Sequence, residues 1–346
     1  MTILGGILVA GLCALVYPKY HHDIQAARER VSAGSKIAET LCGPIEYAVS
    51  GEGRPLLVVH GAGGGWDQGM DFAEPLAPSG FSLVAMSRFG YLRTPLPRDA
   101  SAAAQADAHA CLLDTLQIPA AAVIGISAGA PSSMQLALRH PDRVSALVLV
   151  VPAAWVADTA PPLKTPAVTE FLFSTALRSD LIFWAAVRIA REAVIRGVLA
   201  TPPDVVAGAG AAEQQRVAEV LAHILPVSSR RPGLLNDAAV TSSIERYELE
   251  RIETPTLALS AADDLFGTFD TARYTAEHIP GARFVGYESG GHVLVGRQED
   301  VMREITSFIR AQSARNKNVS DCGKRRSERS EWTYCGRVPR SPAPGS

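Results

Sequence analysis

Val123-Ile124-Gly125-Ile126-Ser127-Ala128-Gly129-Ala130 frames one serine between two glycines, where an apolar run gives way to small residues. A chain that turns abruptly from strand to helix holds the residue at the turn in a strained conformation. The positions two before and two after it then approach each other, and side chains larger than hydrogen clash. Gly-x-Ser-x-Gly in that setting lifts a serine Oγ above the sheet edge. The pattern also arises in turns without chemistry, so its context decides. An apolar strand pattern precedes Ser127, and the helical pattern Ala-Pro-Ser-Ser-Met-Gln-Leu-Ala-Leu follows it. The N-terminus of that helix favours negative charge developing nearby.

Working outward, residues 35–42 and 44–49 read as two short strands. Pro55–His60, Phe81–Ser87, Ala120–Ile124 and Ser145–Val151 are apolar throughout, as strands buried on both faces are. Helical patterns at Ser101–Leu116 and Ala128–His140 alternate with them, which predicts an α/β fold: a mostly parallel sheet with helices on both faces. From about Pro152 to Glu250 only helical patterns occur, at Glu170–Ser179, Leu181–Leu199, Ala211–Ile224 and Ile244–Leu249. Strands resume at Thr256–Ser260 and Ala282–Tyr287, with helices at Asp270–His278 and Gln298–Gln312. The expected organisation is a core over 35–152 and 251–312, with a helical cap over 153–250 inserted after the sixth strand.

A serine hydroxyl needs a base to take its proton, and the base needs orienting. Ala-Ala-Asp-Asp-Leu-Phe after the strand at 256–260 offers an acid, Asp264, with Asp263 as the neighbouring alternative. Glu-Ser-Gly-Gly-His after the strand ending at Tyr287 offers a base, His292. Ser127, Asp264 and His292 would all stand at C-terminal strand ends, the edge where open α/β sheets bind ligands. His60-Gly61-Ala62-Gly63-Gly64-Gly65 follows the strand expected beside that of the serine. Its small residues let backbone N–H groups approach a substrate oxygen. Ala62 N–H, with Gly63 as neighbouring candidate, and Ala128 N–H are the expected oxyanion-hole donors.

These four motifs, in this order, resemble the α/β-hydrolase-fold serine hydrolases, esterase-like and with a helical lid. The resemblance covers about Ala38 to Ala311. It implies Ser127 as nucleophile, His292 as base and Asp264 as acid, with no metal or organic cofactor. Two segments depart from the family pattern. Ser-Arg-Phe-Gly-Tyr-Leu-Arg-Thr after the fourth strand keeps only Arg88 and Gly90 of a longer motif, and Ala261 stands where glycine is usual. The expected function is hydrolysis of an ester-type or related acyl carbonyl through an acyl-enzyme, on a small substrate with an apolar portion. The same machinery also serves carbon–carbon bond hydrolysis. A membrane-tethered, non-catalytic binding protein of this fold is the rival reading.

Composition narrows the remaining roles. The 346 residues carry 33 Lys and Arg against 35 Asp and Glu, a net charge of −2 that argues against nucleic acid. Residues 313–346 read as a disordered basic tail. Ile3–Tyr17 is apolar, uncharged and followed by Lys19, Arg28 and Arg30. It suggests a membrane anchor over residues 1–22 with the catalytic domain in the cytoplasm, export being the alternative. The five scattered cysteines indicate neither a disulfide framework nor a zinc site, and Cys111 reads as a small buried apolar residue. His60 is expected to support its loop and Arg88 to anchor the segment after the fourth strand. Trp66 and Asp67 suit either the pocket wall or packing and a helix cap. No role is expected for Trp184, His223, His109 or His140.

Overall fold

The computed structural model describes residues 2–156 and 176–312. Among the described residues eight strands form one sheet: β1 (Lys36–Thr40), β2 (Gly43–Ser50), β3 (Arg54–Val59), β4 (Phe81–Met86), β5 (Ala121–Ile126), β6 (Val144–Val150), β7 (Thr256–Ala261) and β8 (Arg283–Tyr287). Their order is β1-β2-β4-β3-β5-β6-β7-β8. Only the β1–β2 and β2–β4 pairings are antiparallel. The other strands run parallel, so their C-terminal ends share one edge.

Successive side chains of a strand point to opposite faces, and both faces of this sheet are covered. Leu57, Val59, Val123, Leu147 and Leu149 pack on one side against α3 (Ala102–Thr115), α4 (Ala130–Arg139) and α10 (Thr268–His278). Leu56, Val58, Ile124, Val148 and Leu259 pack on the other. There they meet Ala73 of α2 (Trp66–Ala73) and Val301, Ile305 and Ile309 of α11 (298–312). This two-sided burial is why the parallel strands read as unbroken apolar runs.

Between β6 and β7 the described residues are helical: α5 (Asp180–Ile189), α6 (Arg191–Val198), α7 (Pro203–Ala207), α8 (Ala211–His223) and α9 (Arg231–Ser242). The sequence pattern over 181–199 is thus two helices meeting at Ala190. Helix α9 went unread because Pro232 and Gly233 look like breakers, yet proline is tolerated in a first helical turn, where Pro232 sits. Residues 244–248 form no helix, and only a 3-10 turn, Leu249–Arg251, follows. The pattern at Glu170–Ser179 lies largely outside the described residues, as does the tail at 313–346.

The N-terminus departs furthest from expectation. Thr2–Ser32 is one helix, α1, with no break after His22. Ile24 and Ala27 are buried in a core of their own with Phe183, Trp184, Val194 and Leu221 of the insertion. Asp23 accepts hydrogen bonds from Trp184 Nε1 at 2.9 Å and Arg188 Nη2 at 2.6 Å. Among the described residues no helix is long and apolar enough to cross a membrane. The expected anchor over residues 1–22 is therefore not supported, because the charged second half of that helix is built into the fold.

Cys111 is not an isolated buried thiol either. It is half-buried on α3 and forms a disulfide with Cys42, in the β1–β2 turn. The partners are 69 residues apart, and only the packing of that turn on α3 brings them together.

Candidate active site

The elbow follows β5 directly. Ser127 has φ 49°, the left-handed region that non-glycine residues rarely occupy. The two glycines serve close approach rather than unusual dihedrals, and they do not meet each other as expected. A Cβ on Gly125 would lie 2.5 Å from Ser133 Oγ and 3.1 Å from Ala130 Cα, so this glycine admits α4. A Cβ on Gly129 would lie 2.5 Å from the Val59 carbonyl oxygen and 2.6 Å from that of His60. The second glycine therefore lets the elbow press on the end of β3.

Ser127, His292 and Asp264, expected from three separate strand ends, come together. Ser127 Oγ lies 2.9 Å from His292 Nε2, and His292 Nδ1 lies 2.7 Å from Asp264 Oδ2. A carboxylate on Nδ1 assigns that nitrogen its proton and leaves Nε2 an acceptor for the serine proton. Asp264 is fully covered, and the His292 side chain is 11% exposed. The acid is itself held, since it accepts from Phe266 N–H at 2.8 Å and from the Thr268 hydroxyl. The Phe266 ring stands edge-on to His292, with centroids 4.9 Å apart.

Asp263 has a different task. It accepts from Gly290 N–H at 2.9 Å and Gly291 N–H at 2.7 Å, bracing the loop that carries His292. The two adjacent acids thus divide between histidine and histidine loop.

The glycine-rich loop after β3 lies beside the serine, with a Cβ on Gly61 only 3.1 Å from Ser127 Cβ. Among the described residues no acceptor lies within bonding distance of Ala62 N–H. Gly63 N–H, the neighbouring candidate, donates to Tyr91 Oη at 3.3 Å. Ala128 N–H opens the short 3-10 turn Ser127–Gly129, where first-turn N–H groups have no helical acceptor. Among the described residues, Ala62 N–H and Ala128 N–H therefore remain available to an acceptor.

His60 supports this loop. Nε2 accepts Arg88 N–H at 2.9 Å, and Nδ1 donates to Gly61 O at 2.7 Å. Burial, then the Arg88 charge, holds its pKa well below the usual histidine value, so the ring is neutral. Trp66 and Asp67 pack rather than line the cavity. Trp66 Nε1 donates to Val31 O of α1 at 3.3 Å. Asp67 is clasped by Arg230, at 2.7 Å and 3.0 Å, and by Arg30 of α1. Burial alone would raise the Asp67 carboxyl, but Arg230 and then Arg30 hold it far below the usual carboxylate range. Arg230 Nη1 also binds Gly64 O at 2.5 Å, fixing the glycine loop from the insertion side. Sequence reasoning missed Arg30, Arg230 and Asp237, whose partners lie 37 to 163 residues away with no local pattern to mark them.

A cavity of about 300 Å³ opens over Ser127 and His292. Ile126, Val150, Leu199, Ile224, Phe266 and Val293 supply much of its wall, Asp71, Glu74, Glu219 and Arg216 supply charge, and His223 adds an imidazole. His223, given no role from sequence, meets Asp71 at 2.5 Å. Arg216 is committed to Glu213, at 2.9 Å and 3.1 Å, and to Val293 O at 2.9 Å. No described group of His, Cys, Asp and Glu is arranged to hold a metal ion. The site can deliver a serine oxygen to a carbonyl and accept the resulting negative charge.

Comparison with known proteins places the chain among relatives. A family model described as alpha/beta hydrolase fold matches residues 54–191. An uncharacterized hydrolase of Bacillus subtilis (strain 168), YcgS, is 29% identical over 266 residues, covering 73% of this chain and 89% of that protein. A pimeloyl-[acyl-carrier protein] methyl ester esterase of Neisseria meningitidis is 25% identical, covering 69% and 86%. Among solved structures, an alpha/beta hydrolase fold protein from Nakamurella multipartita is 28% identical, with a TM-score of 0.63 over 80% of this chain and 99% of that one.

Proposed function

Because this chain belongs to the α/β-hydrolase-fold family and is a hydrolase, we propose that it cleaves an uncharged carboxylic ester through an acyl-enzyme on Ser127. One observation carries the reading: the relay from Ser127 Oγ through His292 to a buried Asp264, with separations of 2.9 Å and 2.7 Å, at the wall of the cavity.

His292 Nε2 takes the Ser127 proton as Oγ attacks the ester carbonyl, and Asp264 stabilises the imidazolium that forms. The carbonyl oxygen becomes an oxyanion facing Ala62 N–H and Ala128 N–H. Each such donor contributes roughly 3 kcal/mol to transition-state stabilisation. Collapse expels the alkoxide, which leaves as the alcohol with the proton from His292. Water then gives a proton to His292 and attacks the acyl-enzyme. The second collapse returns the proton to Ser127 Oγ and frees the acid.

The cavity's charges favour an ester over an anionic diketone-like acid cleaved at a carbon–carbon bond. Its described carboxylates are Asp71, Glu74 and Glu219, and its one arginine, Arg216, is occupied by Glu213. Among the described residues a substrate carboxylate would meet repulsion and no unpaired arginine or lysine, whereas a neutral acyl chain fits the Ile, Val, Leu and Phe wall. The test is a panel of neutral p-nitrophenyl esters of graded acyl length, set beside esters bearing a terminal carboxylate. Neutral esters should turn over at least about tenfold better in kcat/KM, a difference of about 1.4 kcal/mol. No turnover above that of Ser127→Ala, or a preference for the anionic series, refutes the reading.

A further inference from the structure

The loop after β4 and helix α9 of the insertion meet backbone to backbone. Gly233 N–H donates to Gly90 O at 2.9 Å. A Cβ on Gly90 would lie 2.6 Å from Gly233 N, and one on Gly233 would lie 2.2 Å from the Tyr91 ring. One helical turn beyond Gly233, on the same face, Asp237 enters a buried polar cluster. Arg88 gives it two hydrogen bonds, Nη1 to Oδ1 at 2.7 Å and Nη2 to Oδ2 at 2.6 Å. Tyr91 Oη donates to Oδ2 at 2.5 Å. Burial and then the Asp237 charge push the Tyr91 hydroxyl well above its ordinary pKa, so it remains a donor.

Both of Asp237's partners reach on to the site. Arg88 Nη1 also donates to Ala128 O at 3.2 Å, the carbonyl of the peptide just beyond the Ala128 N–H. Tyr91 Oη accepts Gly63 N–H at 3.3 Å, which fixes the peptide just beyond the Ala62 N–H. One carboxylate therefore holds the peptides next to both oxyanion donors, which belong to loops after two different strands. We propose that Asp237 is a positioning residue for the oxyanion hole: through Arg88 and Tyr91 it sets the aim of the Ala62 and Ala128 N–H groups. The hole is then complete only while α9 of the insertion is seated. This rests on the reading of Ser127 as nucleophile with those two donors. It adds that their geometry is set by a residue more than a hundred positions from either.

Removing Asp237 alone would strand a buried guanidinium, which is strongly destabilising. The test therefore uses Tyr91→Phe, which keeps the ring and deletes only the hydroxyl, and the paired change Arg88→Met with Asp237→Leu, which removes both charges together. Each variant is titrated with a fluorophosphonate, so that kcat is counted per competent serine, and KM is measured on the same neutral ester. Misplacement of reacting groups by about 1 Å can cost on the order of a hundredfold. We expect kcat per labelled site to fall about tenfold for Tyr91→Phe and about thirty- to a hundredfold for the pair, with KM within about threefold of wild type. The phosphonylation rate should fall in parallel while final stoichiometry stays at one. A purely structural role would lower the number of labelled sites and leave kcat per site unchanged, and that result overturns the inference. Failure of the wild-type protein to label at Ser127 would instead overturn the reading beneath it.

Discussion

Replacing Asp264 by asparagine changes one atom, and the structure fixes what that atom does. Asp264 has two oxygens in use: Oδ1 accepts Phe266 N–H at 2.8 Å, and Oδ2 accepts His292 Nδ1–H at 2.7 Å and the Thr268 hydroxyl. Asparagine keeps one acceptor and gains a donating NH2. If its oxygen faces Phe266 N–H, the NH2 faces His292 Nδ1, which must then lose its proton to accept. The ring flips to the Nε2–H tautomer and no longer receives the Ser127 proton. Such a tautomer error costs on the order of 10⁴ in turnover, or about 5.4 kcal/mol. Asp263→Asn is a matched control. Its remaining amide oxygen still accepts from Gly290 or Gly291 N–H, so the histidine loop loosens without changing tautomer, and the loss should stay below about tenfold. Steady-state hydrolysis of one neutral ester by both variants, with near-ultraviolet circular dichroism to confirm folding, gives the comparison. An Asp264→Asn enzyme retaining more than about a hundredth of wild-type kcat, or an Asp263→Asn enzyme the more impaired, would refute the argument.

Two further expectations concern the elbow and the buried imidazoles. Gly129→Ala would force a methyl against the backbone carbonyls of Val59 and His60 and should cost about 2–3 kcal/mol of stability, with most activity lost. Gly210→Ala, where an added Cβ meets nothing within 4 Å, should be neutral by the same urea titration. His60 and His109 are fully buried. Burial, then Arg88, lowers the pKa of both, that of His109 to about 3. Below pH ~6.5 the unfolded chain binds protons that the folded one refuses, so stability rises with pH through that window and is complete above it. For the two together the slope should be about 1.4 kcal/mol per unit at pH ~6.5 and approach about 2.7 near pH ~5, and His109→Gln should roughly halve this contribution. Urea unfolding free energies that do not change over this range would contradict the assignment.

Much of the site was legible because its signals are local. Two-sided burial makes the inner parallel strands apolar runs, and four of the parallel strands, β3, β5, β7 and β8, end in loops bearing Ala62, Ser127, Asp264 and His292. The sequence offered Asp264 as the acid ahead of Asp263, but the bracing of the histidine loop by Asp263 was not legible, since it depends on which way the loop points that carboxylate. Nor were the Asp67 and Asp237 clusters, whose arginines come from helices and loops remote in sequence. Helix α9 hid behind Pro232 and Gly233, residues that break helices elsewhere. Here one sits in a first turn and the other makes room for the Tyr91 ring. The N-terminal helix misled for a related reason. Hydropathy marked an apolar segment ending near Tyr17, while Ile24, Ala27 and Arg30 carry the same helix into contact with the insertion and Asp67.

The most direct test of the central claim is to catch the acyl group on its serine. Wild-type protein mixed with a neutral p-nitrophenyl ester, quenched in acid within milliseconds and digested, should yield a peptide spanning Ser127 heavier by one acyl group. That adduct should be absent from Ser127→Ala and persist in a variant slowed at the water step. Full ester turnover by Ser127→Ala, or acyl transfer to any other residue at a rate matching kcat, would contradict the account.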